Sequence, residues 1–201
     1  ADFARTFAGI SKASAIALTD GRRRVVHLSI AGADDMPIDI NADLYRNLVA
    51  ALRRFGDPQQ ALQVAARRLK ILILHAGVRL QADYLWEAIE PKIRAALLAT
   101  FGFDQRELGQ SAYQSEAVST IQQIDGVAWV DLRIFDAVPE GTSVGQLAGL
   151  AKSLTARPRI EAQGARIDSA ATDFSKRLLA AELAMLTPAI PDTLILTEIS
   201  R

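Results

Sequence analysis

The chain has 201 residues and a mass of 21.7 kDa, with half its residues apolar and 23 % charged. A chain of this size buries about 70 % of its surface on folding, and the composition excludes global disorder. Lysine plus arginine and aspartate plus glutamate each number 23, which removes the usual footprint of bulk nucleic-acid or anionic-membrane binding, and the absence of cysteine excludes disulfides, thiolate nucleophiles, zinc fingers and iron–sulfur clusters.

Ala1-Asp2-Phe3 opens the chain without an initiator methionine and without a signal-peptide pattern, and reads as the start of a fragment of a longer protein. No window reaches about 18 uninterrupted apolar residues, so no membrane span is expected. Phe3 and Phe7 share one face of a short helix over Asp2 to Ala8, which Gly9 ends. Lys12 to Leu18 and Arg24 to Ile30 read as two strands joined by an Asp20-Gly21 hairpin turn of type I′. Ala31 to Asn41 is a loop, and Asn41 is the predicted N-cap of a helix to Phe55, with Leu44, Leu48, Leu52 and Phe55 at helical spacing. Ala61 to Ala66 is ambiguous between strand and helix, whereas Lys70 to Leu80 is a strand apolar on both faces.

Asp83 is the predicted cap of a helix to Thr100 that turns Leu85, Ile89 and Ile93 inward, with a kink or break near Glu90 because Pro91 lies inside it. Ser115 is the predicted cap of the next helix, with Val118, Ile121 and Ile124 inward, and Asp125-Gly126 leads into a strand over Val127 to Phe135. Ala137 to Thr172 is looser and rich in proline and glycine. Phe174 to Leu186 is predicted helical, and Leu194 to Ile199 is a terminal strand. The junction of short helix, glycine and strand occurs twice, at Gly9-Ile10 and Gly126-Val127. These patterns give an α+β fold of two small sheet-plus-helix modules, at residues 1–69 and 70–136, followed by a C-terminal extension over 137–201.

Residue chemistry supports no enzyme. His27 and His75 lie in apolar strands without acids at metal-ligand spacing, and read as structural imidazoles. Ser29 shares a strand face with His27 but lacks the orienting acid a catalytic pair needs. Gly145, Gly149, Lys152 and Ser153 fail the phosphate-loop pattern because Leu150 and Ala151 intervene. Asp34, Asp35 and Asp39 lack the spacing of a cation loop. The runs Arg22-Arg23-Arg24, Arg53-Arg54 and Arg67-Arg68 read as solvated faces or salt-bridging contacts, and the pairs Glu116/Glu140 and Glu87/Glu90 as surface charge. No catalytic residue, cofactor or metal ligand is assigned.

The run from Asp83-Tyr84-Leu85-Trp86-Glu87 through Glu90-Pro91-Lys92-Ile93 and Phe101-Gly102-Phe103-Asp104 to Ile124-Asp125-Gly126-Val127-Ala128-Trp129-Val130 resembles the baseplate J-like proteins of contractile phage tails and related injection particles. The opening Asp2-Phe3-Ala4-Arg5-Thr6-Phe7-Ala8-Gly9-Ile10 and the ending Leu186-Thr187-Pro188-Ala189-Ile190-Pro191-Asp192 resemble segments of the same family. The resemblance implies a structural component of the baseplate wedge, without catalytic residues. It implies assembly in the bacterial cytoplasm and then a place in a phage tail or injection particle. Its partners would be wedge, hub, sheath or tube proteins, with homo- or hetero-oligomer formation, no nucleic acid and no membrane span. An alternative places a ligand-binding or enzymatic site in residues 137–172.

Leu194, Ile195, Leu196 and Ile199 are the candidate partner-contact residues. The strand that carries them either completes the domain's own sheet or offers an edge to a neighbour.

Overall fold

The short helix α1 (Asp2–Arg5) and the turn after it set the entry to the first sheet. The computed structural model describes residues 1–19, 24–142, 146, 149–150, 153–171 and 177–200. Ile10 N–H bonds the Phe7 carbonyl at 3.0 Å, and Gly9, third in that turn, takes φ of 94°, a value that costs an L side chain strain. Strands β1 (Ile10–Thr19) and β2 (Arg24–Gly32) pair antiparallel. The Asp20-Gly21 turn expected between them lies outside the described residues.

Helix α2 (Asp43–Phe55) then leads to β3 (Leu62–Ala66), which resolves the ambiguous segment as a strand parallel to β2. The sheet order is β1-β2-β3. Ala4, Ile10, Ala13, Leu28, Ile30, Leu48 and Val64 form the core against α2. Of the predicted inward leucines only Leu48 is fully buried; Leu44 and Leu52 flank it half-buried, and Phe55 is 70 % exposed at the helix end. Asn41 is not the cap: its N–H bonds Asp39 Oδ1 at 2.8 Å in an Asx turn, and the helix starts two residues later from Ala42.

In the second unit, β4 (Arg68–Leu80) carries Leu72, Leu74, Ala76 and Val78 on its buried face. Helix α3 (Trp86–Phe101) runs unbroken through Pro91 and buries Ile89, Ile93, Leu97 and Phe101. Of the kink or break expected near Glu90, the break is absent, and so is the Asp83 cap. Tyr84 N–H bonds the Gln81 carbonyl at 3.2 Å, so the chain is still turning at Asp83 and helical geometry begins at Trp86. Leu85, the residue before the helix, is 72 % exposed rather than inward.

β5 (Ala112–Tyr113) precedes α4 (Gln114–Gln122), where Ser115 sits inside the first turn instead of capping it. The Glu116 carboxylate accepts the Tyr113 N–H at 3.1 Å there, the reciprocal half of a capping box. Gly126 takes φ of 97°, Val127 N–H bonds the Ile124 carbonyl at 3.1 Å, and β6 (Val127–Pro139) follows. The predicted echo at Gly9 and Gly126 is therefore a shared turn geometry. β6 pairs antiparallel with β4, and β7 (Arg159–Ile160) pairs with β5.

β8 (Arg166–Ile167) and β9 (Leu178–Leu179) form an antiparallel ladder in the first unit, and β10 (Glu182–Met185) joins β4. The described part of the predicted 174–186 helix is thus mainly extended. Glu182, Leu183, Ala184 and Met185 are all buried, so pairing and burial on both faces override good helix formers. β11 (Leu194–Glu198) runs parallel to β4.

The fold is mixed α+β. The first unit comprises residues 1–68, 107–110 and 162–183, and the second 69–106, 111–161 and 184–201, so residues 137–201 divide between them. No helix among the described residues is long and apolar enough to cross a membrane.

Candidate partner-contact surface

β11 is held on one side only. Leu194 to Glu198 lie opposite Leu74 to Val78 of β4, and among the described residues no strand pairs with the other edge of β11. Ile199 N–H bonds the Val78 carbonyl at 2.9 Å, so by strand alternation the backbone groups of Ile195 and Thr197 face β4 and those of Leu194, Leu196 and Glu198 face outward. The outward Leu194 carbonyl accepts Arg94 Nη1 at 3.1 Å. Arg94 is itself fixed by Glu90 at 2.6 Å on the same helix. What remains open among the described residues is short: the N–H and C=O of Leu196 and Glu198.

The side chains divide by face. Leu194 is 4 % exposed and anchors the strand in the unit's core, whereas Ile195 is 43 % exposed. Leu196 and Ile199 are half-buried. Ile199 lies over Gly77: a Cβ built at Gly77 would fall 2.8 Å from Ile199 Cδ1 and 3.0 Å from Arg133 Nη2. Sequence reasoning missed this fit, although a glycine inside an apolar strand signals a close approach. It also missed Arg94, because nothing in a helical arginine announces a carbonyl 100 residues away.

The remaining candidates take structural places. His27 is fully buried on β2. Its Nδ1 lies 3.4 Å from Ser29 Oγ, which accepts the Ala181 N–H at 2.8 Å. No carboxylate orients the imidazole, since Nε2 has no hydrogen-bond partner among the described residues, and burial pushes its pKa below the ordinary value. His75 stands on β4 opposite Ile195. Asp35, with φ of 59°, receives Arg67 Nε and Nη2 at 2.6 Å each, a bidentate pair closing the loop after β2. Asp39 serves the Asx turn described above.

Glu116 lies 3.5 Å from Arg106, whose guanidinium burial pulls its pKa down against the opposing pull of Glu116. Burial likewise raises the Tyr45 hydroxyl, which donates to the Val64 carbonyl at 2.7 Å, with Arg53 acting the other way. Gly145 and Lys152 lie outside the described residues. A hollow of about 640 Å³ beside Pro139, Glu140 and Gly141 brings in one carboxylate, Glu140, among its described lining residues. No group of three or more metal-binding side chains occurs among the described residues.

Residues 1–65 match the family described as Baseplate J-like central domain. No curated protein matches the chain. The matched segment holds α1, β1, β2 and α2 and all but the last residue of β3; of the residues that carry the resemblance in the sequence it covers the opening Asp2 to Ile10, while the runs over 83–130 and 186–192 lie outside it. It points to a structural role in a phage baseplate.

Proposed function

We propose, from the Baseplate J-like central domain in residues 1–65, that the chain is a structural component of the baseplate wedge of a contractile tail or injection particle. It catalyses nothing and acts through contacts with other baseplate proteins, assembling in the bacterial cytoplasm before the particle is released. The family match is the observation that carries this reading.

The β11 edge supplies the contact. The outward groups of Leu196 and Glu198 offer two rungs for an added strand, while Ile195 and Ile199 offer apolar area beside it. Leu194 keeps the strand seated. Leu196→Pro removes an outward N–H, a change that an edge strand tolerates. The variant should fold with an unchanged far-ultraviolet spectrum and should fail to enter baseplates when it replaces the natural chain during particle production. Normal baseplates assembled from folded Leu196→Pro would remove β11 as the contact. Intact baseplates in the complete absence of the protein would remove the wedge assignment itself.

A further inference from the structure

The first unit has its own open edge, and it differs in chemistry from β11. Val26 N–H bonds the Ala61 carbonyl at 2.8 Å and Arg67 N–H bonds the Ile30 carbonyl at 2.8 Å, so the even residues of β2 face β3 and the odd ones face β1. In the observed register Val25, His27 and Ser29 lie opposite Leu18, Ile16 and Ser14. Those three β1 residues therefore turn their backbone groups inward, and Ala13, Ala15 and Ala17 turn theirs outward. Arg5 confirms the sense independently: its Nη2 reaches the outward Ala13 carbonyl at 3.2 Å.

Beyond that cap, Ala15 and Ala17 present two N–H and two C=O groups without partners among the described residues, and β1 is the terminal strand of its sheet. Ala15, Ile16 and Ala17 are all exposed, Ile16 at 43 %. The run Ala13-Ser14-Ala15-Ile16-Ala17-Leu18 carries no charge and no proline, the devices by which edge strands ordinarily refuse a neighbour.

We propose that this edge joins a second copy of the same chain, β1 to β1 antiparallel about a two-fold axis at Ile16, turning two three-stranded sheets into one of six strands. The edge is self-complementary. With Ile16 opposite Ile16 of the other copy, Ala15 of each chain faces Ala17 of the other. Both are outward-facing, so each pair exchanges two hydrogen bonds. The four open groups of each copy are then all used, and the contact is closed and isologous. The two Ile16 side chains meet at the non-hydrogen-bonded position, where side chains approach most closely. No like charges oppose one another anywhere in the run. The inference concerns a different edge from β11 and does not rest on the baseplate reading.

Because the chain has no cysteine, single-cysteine variants read the register directly. Under mild oxidation Ile16→Cys should yield a disulfide-linked dimer, because the facing Cα atoms fall about 4.5 Å apart, within disulfide reach. Leu18→Cys should yield no more than a trace, because its opposite number is Ser14 and the two cysteines are about 14 Å apart. The unmodified chain should sediment at hundreds of micromolar with a component of twice 21.7 kDa.

Ala15→Pro should abolish that component while leaving the monomer folded, because its N–H faces outward. Ile16→Lys, which sets two ammonium groups face to face, serves as a second blocking variant should Ala15→Pro not fold. Equal linkage at Ile16→Cys and Leu18→Cys, no dimer at any concentration, or a dimer that survives a folded blocking variant would each overturn the proposal.

Discussion

The two units contain the same sheet motif and finish it differently. Each has a middle strand with an antiparallel and a parallel neighbour, β1-β2-β3 in the first and β6-β4-β11 in the second, where β4 also pairs with β10. Each enters its antiparallel outer strand through a turn with a positive-φ glycine, Gly9 or Gly126. Each caps one edge carbonyl with a helical arginine, Arg5 or Arg94. Beyond the cap they part. β11 offers two rungs and ends on a charged residue, Glu198, whereas β1 offers two rungs inside a longer uncharged run. The backbone motif thus determines where an edge falls, and the side chains along the edge determine what it accepts.

The largest expected effect tests whether the two cores are equivalent. Leu48 in the first unit and Ile93 in the second are both fully buried. Leu48→Ala and Ile93→Ala should each cost about 2–5 kcal/mol, read from the shift in denaturant midpoint. A negligible shift for one alone would break the parallel between the units.

The next effect belongs to the first unit. Arg67 and Asp35 are 9 % and 15 % exposed at the side chain, and removing one partner of a buried pair costs about 3–5 kcal/mol at full burial. Some solvent reaches this pair, so Asp35→Ala should lower stability by about 2–3 kcal/mol, and the loss should persist in high salt. A change within measurement error would show that the loop is held by other contacts.

The glycine turns come next. Gly9→Ala and Gly126→Ala both place a Cβ at positive φ, worth about 1–2 kcal/mol of strain each. At Gly126 the new atom would also fall 2.4 Å from the Tyr84 ring, against 3.1 Å from Leu44 Cδ2 at Gly9. Gly126→Ala should therefore be the more destabilising in thermal unfolding, and the reverse order would contradict the geometry.

The smallest effect is a pH dependence that follows from the burial of His27. Its folded pKa is depressed by burial below the ordinary imidazole value of 6.5, so the unfolded chain binds the proton more readily. Its contribution to stability is present above pH 6.5 and is lost as pH falls from there toward the folded pKa. His27→Gln should flatten the unfolding midpoint between pH 7.5 and 5.5. An unaltered pH slope in that variant would show that other groups set it.

Much of the framework is legible from alternation and glycine placement. The strands at Arg24, Lys70, Val127 and Leu194 are all present, because each combines β-branched or apolar residues with a clear stop. The segment ending in Glu182-Leu183-Ala184-Met185 is not legible. Its residues favour helix locally, and only pairing with β4, over a hundred positions away, makes it extended. Helix starts at Asn41, Asp83 and Ser115 are misplaced for a nearer reason, since turns at Asp39 and Gln81 and the reach of Glu116 compete with the expected caps. Of the contact surface, β11 itself is readable as a terminal strand. The openness of the β1 edge is not, because strand order is a long-range property.

Amide exchange on the unmodified chain tests most directly the claim that both sheets keep an open edge and that the uncharged one joins a second copy. Ser14, Ile16 and Leu18 should be protected at every concentration. Ala15 and Ala17 should exchange freely when dilute and become protected as the protein is concentrated, while Leu196 and Glu198 exchange freely throughout. Ala15 and Ala17 amides that remain protected on dilution, or remain unprotected where a dimer is present, would contradict the account.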